Sequence, residues 1–171
     1  LKSNNPNPGH PTIYLSGGPG VSSSWQAKNP DYLESWVPYL ELGDVILLDQ
    51  RGTGKGNNRV SYTVSEDIPS DILTSEAIAI EYCNKMNKTA LTTLALKGVD
   101  FRGYTSVESA TDINVLRQVL GYEKLNLFGF SYGTHLGQTY LKYFGEYVAN
   151  SVLVGVEGLD QTFKLPMAMD T

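Results

Sequence analysis

Apolar residues in this chain fall into short continuous runs and into longer stretches with helical spacing. The continuous runs are rich in β-branched, aliphatic and aromatic residues, which is typical of strands. "DVILLD" is apolar on both of its faces, which indicates a strand buried in a parallel sheet. The runs that predict strands are "TIYL" at 12–15, "DVILLD" at 44–49, "KLNLFGF" at 124–130 and "VANSVLVGV" at 148–156.

Helical spacing of apolar residues marks the segments between these runs. Pro38 interrupts the first of these segments, and the second is one long helix or two short ones. Ser109 or Thr111 is a candidate cap for the third, which ends near Leu120 before Gly121. The predicted helical segments are 30–43, about 76–96, about 109–120 and 132–146.

Strands and helices therefore alternate along the chain, ending on a strand. That alternation predicts an α/β fold: a mostly parallel sheet of four to five strands with helices on its faces. A length of 171 residues fits a single domain, 1–171, and no internal repeat or linker divides it.

Charge and composition restrict the classes of partner. The net charge is −5 and no Lys/Arg run is present, so nucleic acid is not expected as a partner. No apolar run approaches the ~20 residues of a membrane helix, so no membrane segment is expected in this chain. The single cysteine, Cys83, excludes an internal disulfide and leaves both cytoplasmic and exported locations open. No His, Asp or Glu spacing suggests a metal site, and we expect no cofactor.

One motif carries the chemistry. Gly129-Phe130-Ser131-Tyr132-Gly133 is a G-x-S-x-G between a predicted strand and a predicted helix. In that context the glycines permit a tight turn that lifts the serine hydroxyl clear of the sheet. Ser131 is thus the candidate nucleophile, and the N–H of Tyr132, at the start of the helix, is a natural donor to an oxyanion.

Two earlier loops follow predicted strands. "SGGPG" at 16–20 follows the first strand, and its glycines allow the backbone to approach a substrate, so that Gly17 or Gly18 is the expected second oxyanion donor. Asp49 closes the second strand and Arg51 follows it in "DQRGTG". We interpret these two residues as structural support that holds the loop through hydrogen bonds and charge.

The motifs "SGGPG", "DQRGTG" and "VLVGV", together with the block "GYTSVESATDINVLRQVLGYEKLNLFGFSYGTHL", resemble the α/β-hydrolase fold. More narrowly, they resemble the serine peptidases of the prolyl aminopeptidase and tripeptidyl aminopeptidase family. The resemblance implies a peptide or small-molecule acyl substrate, Ser131 as nucleophile and an oxyanion hole at Gly17/Gly18 and Tyr132. Two positions depart from the family pattern: Ser16 stands where His is common, and Gly155 stands where Asp is often found.

The base that would activate Ser131 is not evident. His135 lies inside the predicted helix after the serine and His10 in a Pro-rich segment before the first strand, so we interpret both as structural. The carboxylates after Ser131 are Glu146, Glu157, Asp160 and Asp170. Glu157 and Asp160 follow the last predicted strand on the side of the active site, so they are candidates to line it, but we interpret them as solvated loop charges.

The resemblance implies a chain order of nucleophile, acid and then histidine, with the last two after later strands. We therefore expect residues 1–171 to form the nucleophile half of an incomplete catalytic domain. By itself this half would be nearly inactive, and the missing C-terminal half would be a possible partner. Two alternatives remain open: a carboxylic-ester hydrolase of the same fold, and a non-catalytic interaction protein whose Ser131 has ordinary backbone angles and a buried hydroxyl.

Overall fold

Four parallel strands form the sheet of the protein. The computed structural model describes residues 1–55, 59–63 and 68–160. Its strands lie in the order β2-β1-β3-β4, and every neighbouring pair is parallel, which confirms the predicted α/β class. The strands are β1 (Thr12–Leu15), β2 (Val45–Leu47), β3 (Leu125–Phe130) and β4 (Val148–Val154).

Five α-helices accompany these strands in the described part of the chain, and short 3₁₀ turns lie at Ser24–Lys28, Phe101–Gly103 and Gly145–Tyr147. The helices are α1 (Pro30–Ser35), α2 (Val37–Leu42), α3 (Glu76–Leu96), α4 (Ser106–Val119) and α5 (Tyr132–Phe144). None of the helices among these residues is long and apolar enough to cross a membrane.

The helix boundaries correct one prediction, confirm a second and settle a third. The N-cap of α4 is Thr105, whose hydroxyl accepts a hydrogen bond from the N–H of Glu108 at 3.2 Å, so Ser109 and Thr111 lie inside the helix instead of capping it. The segment 30–43 divides into two helices because Pro38 lacks an N–H and fits only the first turn of a new helix. The segment that begins at Glu76 is one helix.

The main core lies between the sheet and helices α4 and α5. Alternate residues of β3 are buried on this side, where they meet β1 and the inner faces of the two helices. The buried apolar residues of this cluster are Ile13, Leu15, Ala110, Ile113, Leu125, Leu127, Leu136 and Tyr140. Their packing holds the carboxyl ends of β1 and β3 against the start of α5.

The order in which successive strands join the sheet reverses at β1. The chain passes from β1 to β2 on one side, and β3 then pairs with the other side of β1, with Leu15 opposite Gly129. In open α/β sheets, ligands bind at the carboxyl ends of the strands where the strand order reverses in this way. The loop after β1 and the turn after β3 meet at this point.

Candidate active site

Ser131 has a strained backbone at the turn between β3 and α5. Its φ is 53° and its ψ is −126°, and in the described part of the chain it is the only residue other than glycine with a positive φ. Its N–H donates to the carbonyl of Val154 at 3.0 Å, which ties the turn to β4. Such backbone geometry costs on the order of 1–3 kcal/mol and is concentrated at functional sites.

The two glycines of the motif are required by close packing. A Cβ on Gly133 would lie 1.9 Å from the carbonyl oxygen of Leu15, and one on Gly129 would lie 2.6 Å from the carbonyl oxygen of Gly133. Both distances are too short for any side chain. The first turn of α5 therefore packs directly on the end of β1, and this contact sets the position of Ser131.

Of the two glycines expected to supply the second oxyanion donor, Gly17 lies against the serine. A Cβ on Gly17 would be 3.2 Å from the Cβ of Ser131 and 3.6 Å from its Oγ. A Cβ on Gly18 would instead meet the backbone of Gly20 and Val21, so Gly18 shapes the loop. Gly17 is thus the better placed candidate of the two.

Tyr132 is the first residue of α5. The N–H groups in the first turn of a helix have no intrahelical acceptor and lie at the positive end of its dipole. The phenol hydroxyl of Tyr132 is 3.0 Å from the hydroxyl of Ser106 at the start of α4, which keeps its side chain turned toward that helix. The backbone of Tyr132 remains the candidate donor to an oxyanion.

Asp49 connects the loop after β2 to the loop after β1. It accepts hydrogen bonds from the N–H groups of Ser23 (2.7 Å) and Ser24 (2.8 Å) and from the hydroxyl of Ser24 (2.6 Å). Burial by itself would raise the pKa of Asp49, but these hydrogen bonds outweigh it and hold the pKa below its ordinary value. In the same loop the buried hydroxyl of Ser16 donates to the carbonyl of Val21 at 2.6 Å, closing the glycine-rich turn.

Arg51 connects the loop after β2 to α4. Its Nε and Nη2 donate to the two carboxylate oxygens of Asp112 at 2.8 and 2.6 Å. It also donates to the carbonyl of Gly103 and to the carboxylate of Glu108, the latter at 3.3 Å. A two-pronged guanidinium contact of this kind fixes orientation as well as distance, so Arg51 supports the site without touching Ser131.

Glu157 is a site residue that sequence reasoning did not assign. The hydroxyl of Ser131 donates to the Oε1 of Glu157 at 3.1 Å, so Glu157 is not the solvated loop charge that we expected. The N–H of Glu157 donates to the hydroxyl of Thr134 at 2.9 Å, and its carbonyl accepts from the side-chain amide of Gln138 at 2.6 Å. Two residues of α5 therefore hold the backbone that carries this carboxylate.

Gly155 makes the position of Glu157 possible. Its φ is 68°, a conformation that glycine adopts without strain, and the turn brings the chain back over α5 just after β4. In the sequence, the sign of this turn was a glycine two residues before a carboxylate at the end of a predicted strand. Asp160, further along, is exposed and has no hydrogen bond to Ser131, and Asp170 lies outside the described residues.

Neither histidine is hydrogen-bonded to Ser131 in the described part of the chain. The ring of His135 stacks on the ring of Tyr132, with centroids 5.9 Å apart, and it is half-buried on α5. His10 is exposed before β1, and its carbonyl accepts from the side chain of Asn126 at 2.7 Å. The base for Ser131 therefore does not come from either histidine in this arrangement.

Comparison with known proteins identifies the family. Two proteins named tripeptidyl aminopeptidase, from Streptomyces lividans and Streptomyces coelicolor, are each 29% identical over 156 residues. These matches cover 84% of this chain but only 28% of each relative, so the chain spans less than a third of their length.

A solved structure of a Salmonella enterica protein matches with a TM-score of 0.47 and 18% identity, over 86% of this chain and 35% of the other. The sequence model of the α/β-hydrolase fold matches residues 11–171, which is almost the whole chain. The chain therefore belongs to the α/β-hydrolase fold family.

Proposed function

We propose that the protein is a serine hydrolase that works by acyl transfer through Ser131, and that it is an aminopeptidase releasing N-terminal residues or short peptides. The observation that carries the proposal is the positive φ of Ser131, with Gly17 packed against it and its hydroxyl half-exposed at the edge of the sheet. A non-catalytic protein would have no reason to keep that strain. The names of the Streptomyces relatives favour a peptide over an ester as substrate.

The chemistry follows from the groups around Ser131. Its Oγ attacks the carbonyl carbon of the substrate while a general base takes the hydroxyl proton. The oxygen that becomes negative is stabilised by the N–H groups of Gly17 and Tyr132, each such donor typically contributing about 2.7–4 kcal/mol. The C–N bond then breaks, the amine leaves with a proton from the base, and water hydrolyses the ester on Ser131.

A fluorophosphonate probe tests the nucleophile directly. Such a probe forms a covalent bond with an activated serine, and peptide mapping by mass spectrometry identifies the residue. In the full-length protein we expect the label on Ser131 and its loss in Ser131→Ala, whereas residues 1–171 alone should label only weakly. In serine proteases, removing the nucleophile lowers turnover by on the order of 10⁶.

Ser151→Ala is the matched control, because Ser151 is an exposed serine on β4 that is not part of the site. The control should label as the unmodified protein does. A label that maps to another residue, or that survives in Ser131→Ala, would overturn the proposal. Comparing amino-acid anilides and tripeptide anilides with short acyl esters then separates an aminopeptidase from an ester hydrolase.

A further inference from the structure

Glu157 is the charged side chain that is hydrogen-bonded to Ser131 among the described residues. Two hydrogen bonds fix its backbone: its N–H donates to the hydroxyl of Thr134, and its carbonyl accepts from the side-chain amide of Gln138. Since both of these residues are on α5, the carboxylate keeps its place relative to the nucleophile. The contact between Glu157 and Ser131 is therefore held in place by the fold.

No cation neutralises Glu157 within the described part of the chain. The carboxylate is half-buried, and no Lys, Arg or His side chain there forms an ion pair with it. A partly desolvated carboxylate gains most from a positively charged hydrogen-bond donor. A substrate that brings an ammonium group would supply that donor.

The covalent geometry of a peptide fixes how far such an ammonium lies from the reacting carbonyl carbon. When Ser131 attacks the carbonyl of a first residue, the free nitrogen of that residue is two bonds, or roughly 2.5 Å, from the reacting carbon. The Oε1 of Glu157 is 3.1 Å from the attacking Oγ, which is within reach of that nitrogen. In a substrate cut after its third residue, the free nitrogen would be up to about 7 Å further away.

We propose that Glu157 binds the free α-ammonium of the first residue of the substrate, so that Ser131 attacks the first peptide bond and one residue is released per turnover. This inference rests on the proposed function, because it needs Ser131 as the nucleophile. It differs from what the names of the Streptomyces relatives say of those proteins, which is release of tripeptides.

The test compares substrates with and without an amine. We expect the full-length protein to cleave alanine p-nitroanilide better than trialanine p-nitroanilide, and to lose that activity when the amine is acetylated. In Glu157→Gln, the ratio of kcat/KM for alanine anilide to kcat/KM for p-nitrophenyl butyrate should fall by roughly 30-fold or more. Asp160→Asn, which removes an exposed carboxylate of the same loop, should leave the ratio unchanged.

Two outcomes of these kinetics would overturn the inference. One is a preference for the tripeptide anilide, since its ammonium cannot reach Glu157 when the third bond is attacked. The other is an unchanged ratio in Glu157→Gln, which would mean that Glu157 acts on Ser131 whatever the substrate.

A binding measurement separates this inference from the proposed function. In Ser131→Ala, which cannot turn over, L-alaninamide should bind more tightly than N-acetyl-L-alaninamide, as measured by NMR titration. Adding Glu157→Gln should remove the difference. If no anilide or ester were hydrolysed but this difference held, the ammonium site would stand and the proposed function would fail; equal binding of the two amides would overturn the inference.

Discussion

At Ser131 the backbone is held in a region that glycine normally occupies. Three contacts hold it there: the hydrogen bond to Val154, and the close approaches of Gly129 to Gly133 and of Gly133 to Leu15. None of these contacts uses the serine side chain. The fold therefore maintains the strain at the proposed nucleophile without using its side chain.

Replacing Ser131 by glycine should stabilise the protein relative to replacing it by alanine. Both changes remove the hydroxyl and its bond to Glu157, but only glycine relieves the positive φ. We expect Ser131→Gly to have a free energy of unfolding about 1–2 kcal/mol higher than Ser131→Ala, measured by urea denaturation. The alanine variant is thus the control, and equal stabilities of the two variants would show that the turn is unstrained.

Residue-level prediction from the sequence depended on how local the signal was. The motif around Ser131 could be recognised because a strand–turn–helix of this kind requires particular residues at adjacent positions in the sequence. Glu157 was not assigned, because its contact with Ser131 depends on the turn at Gly155 and on two hydrogen bonds from α5. Such long-range contacts leave no periodic pattern in a single sequence.

At the scale of elements, the loops after β1 and β2 behave as one unit. Asp49, near the start of the second loop, accepts three hydrogen bonds from the first loop, while Arg51 ties the same segment to α4. The glycine-rich loop that carries Gly17 is thereby connected to α4. The position of Gly17 against Ser131 therefore depends on the charge of Asp49, which does not itself contact Ser131.

Removing that charge should produce a stability loss that depends on pH. The pKa of Asp49 is lower in the folded protein than the ordinary value of about 3.9 in the unfolded chain, so its carboxylate stabilises the fold fully above that value. As the pH falls from 3.9 through the folded pKa, this contribution disappears. Asp49→Asn should cost about 1–2 kcal/mol at pH 7, a difference that shrinks below pH ~4.

Urea denaturation of both proteins between pH 7 and pH 2.5 measures this difference. Asp160→Asn provides a comparison, because an exposed substitution usually changes stability by no more than about 0.5 kcal/mol. A cost for Asp49→Asn that stays constant over the whole range would contradict the assignment of Asp49 as an ionised clamp between the loops.

The elements themselves were largely predictable, and the exceptions have physical causes. The four strands and their parallel arrangement follow from apolar runs that alternate with helical spacing. The start of α4 was misplaced because Ser and Thr, which all favour N-caps, recur at 105, 106, 109 and 111, although Glu108 three residues after Thr105 gives that position the spacing of a capping box. The strand predicted at 44–49 ends at Leu47 because Asp49 turns toward Ser23 and Ser24.

At the scale of the whole molecule, the sheet brings together three strand ends that are far apart in sequence. Gly17 follows β1, Ser131 follows β3 and Glu157 follows β4, and all three meet at one edge. This arrangement supplies the proposed nucleophile, candidate oxyanion donors and an anionic group. That residues 1–171 are the nucleophile half of a longer catalytic domain stays a prediction.

Both histidines should be dispensable for the reactivity of Ser131. His135 stacks on Tyr132, so His135→Phe keeps an aromatic ring there while removing its ability to accept a proton. His10→Gln removes the other imidazole at an exposed position and keeps a polar side chain there. A general base typically contributes 10²- to 10⁴-fold to a rate. We expect each variant to react with a fluorophosphonate at a rate within about 3-fold of the unmodified protein, because neither ring is hydrogen-bonded to the nucleophile. A fall of about 100-fold in His135→Phe would instead identify His135 as the base and require α5 to rearrange when substrate binds.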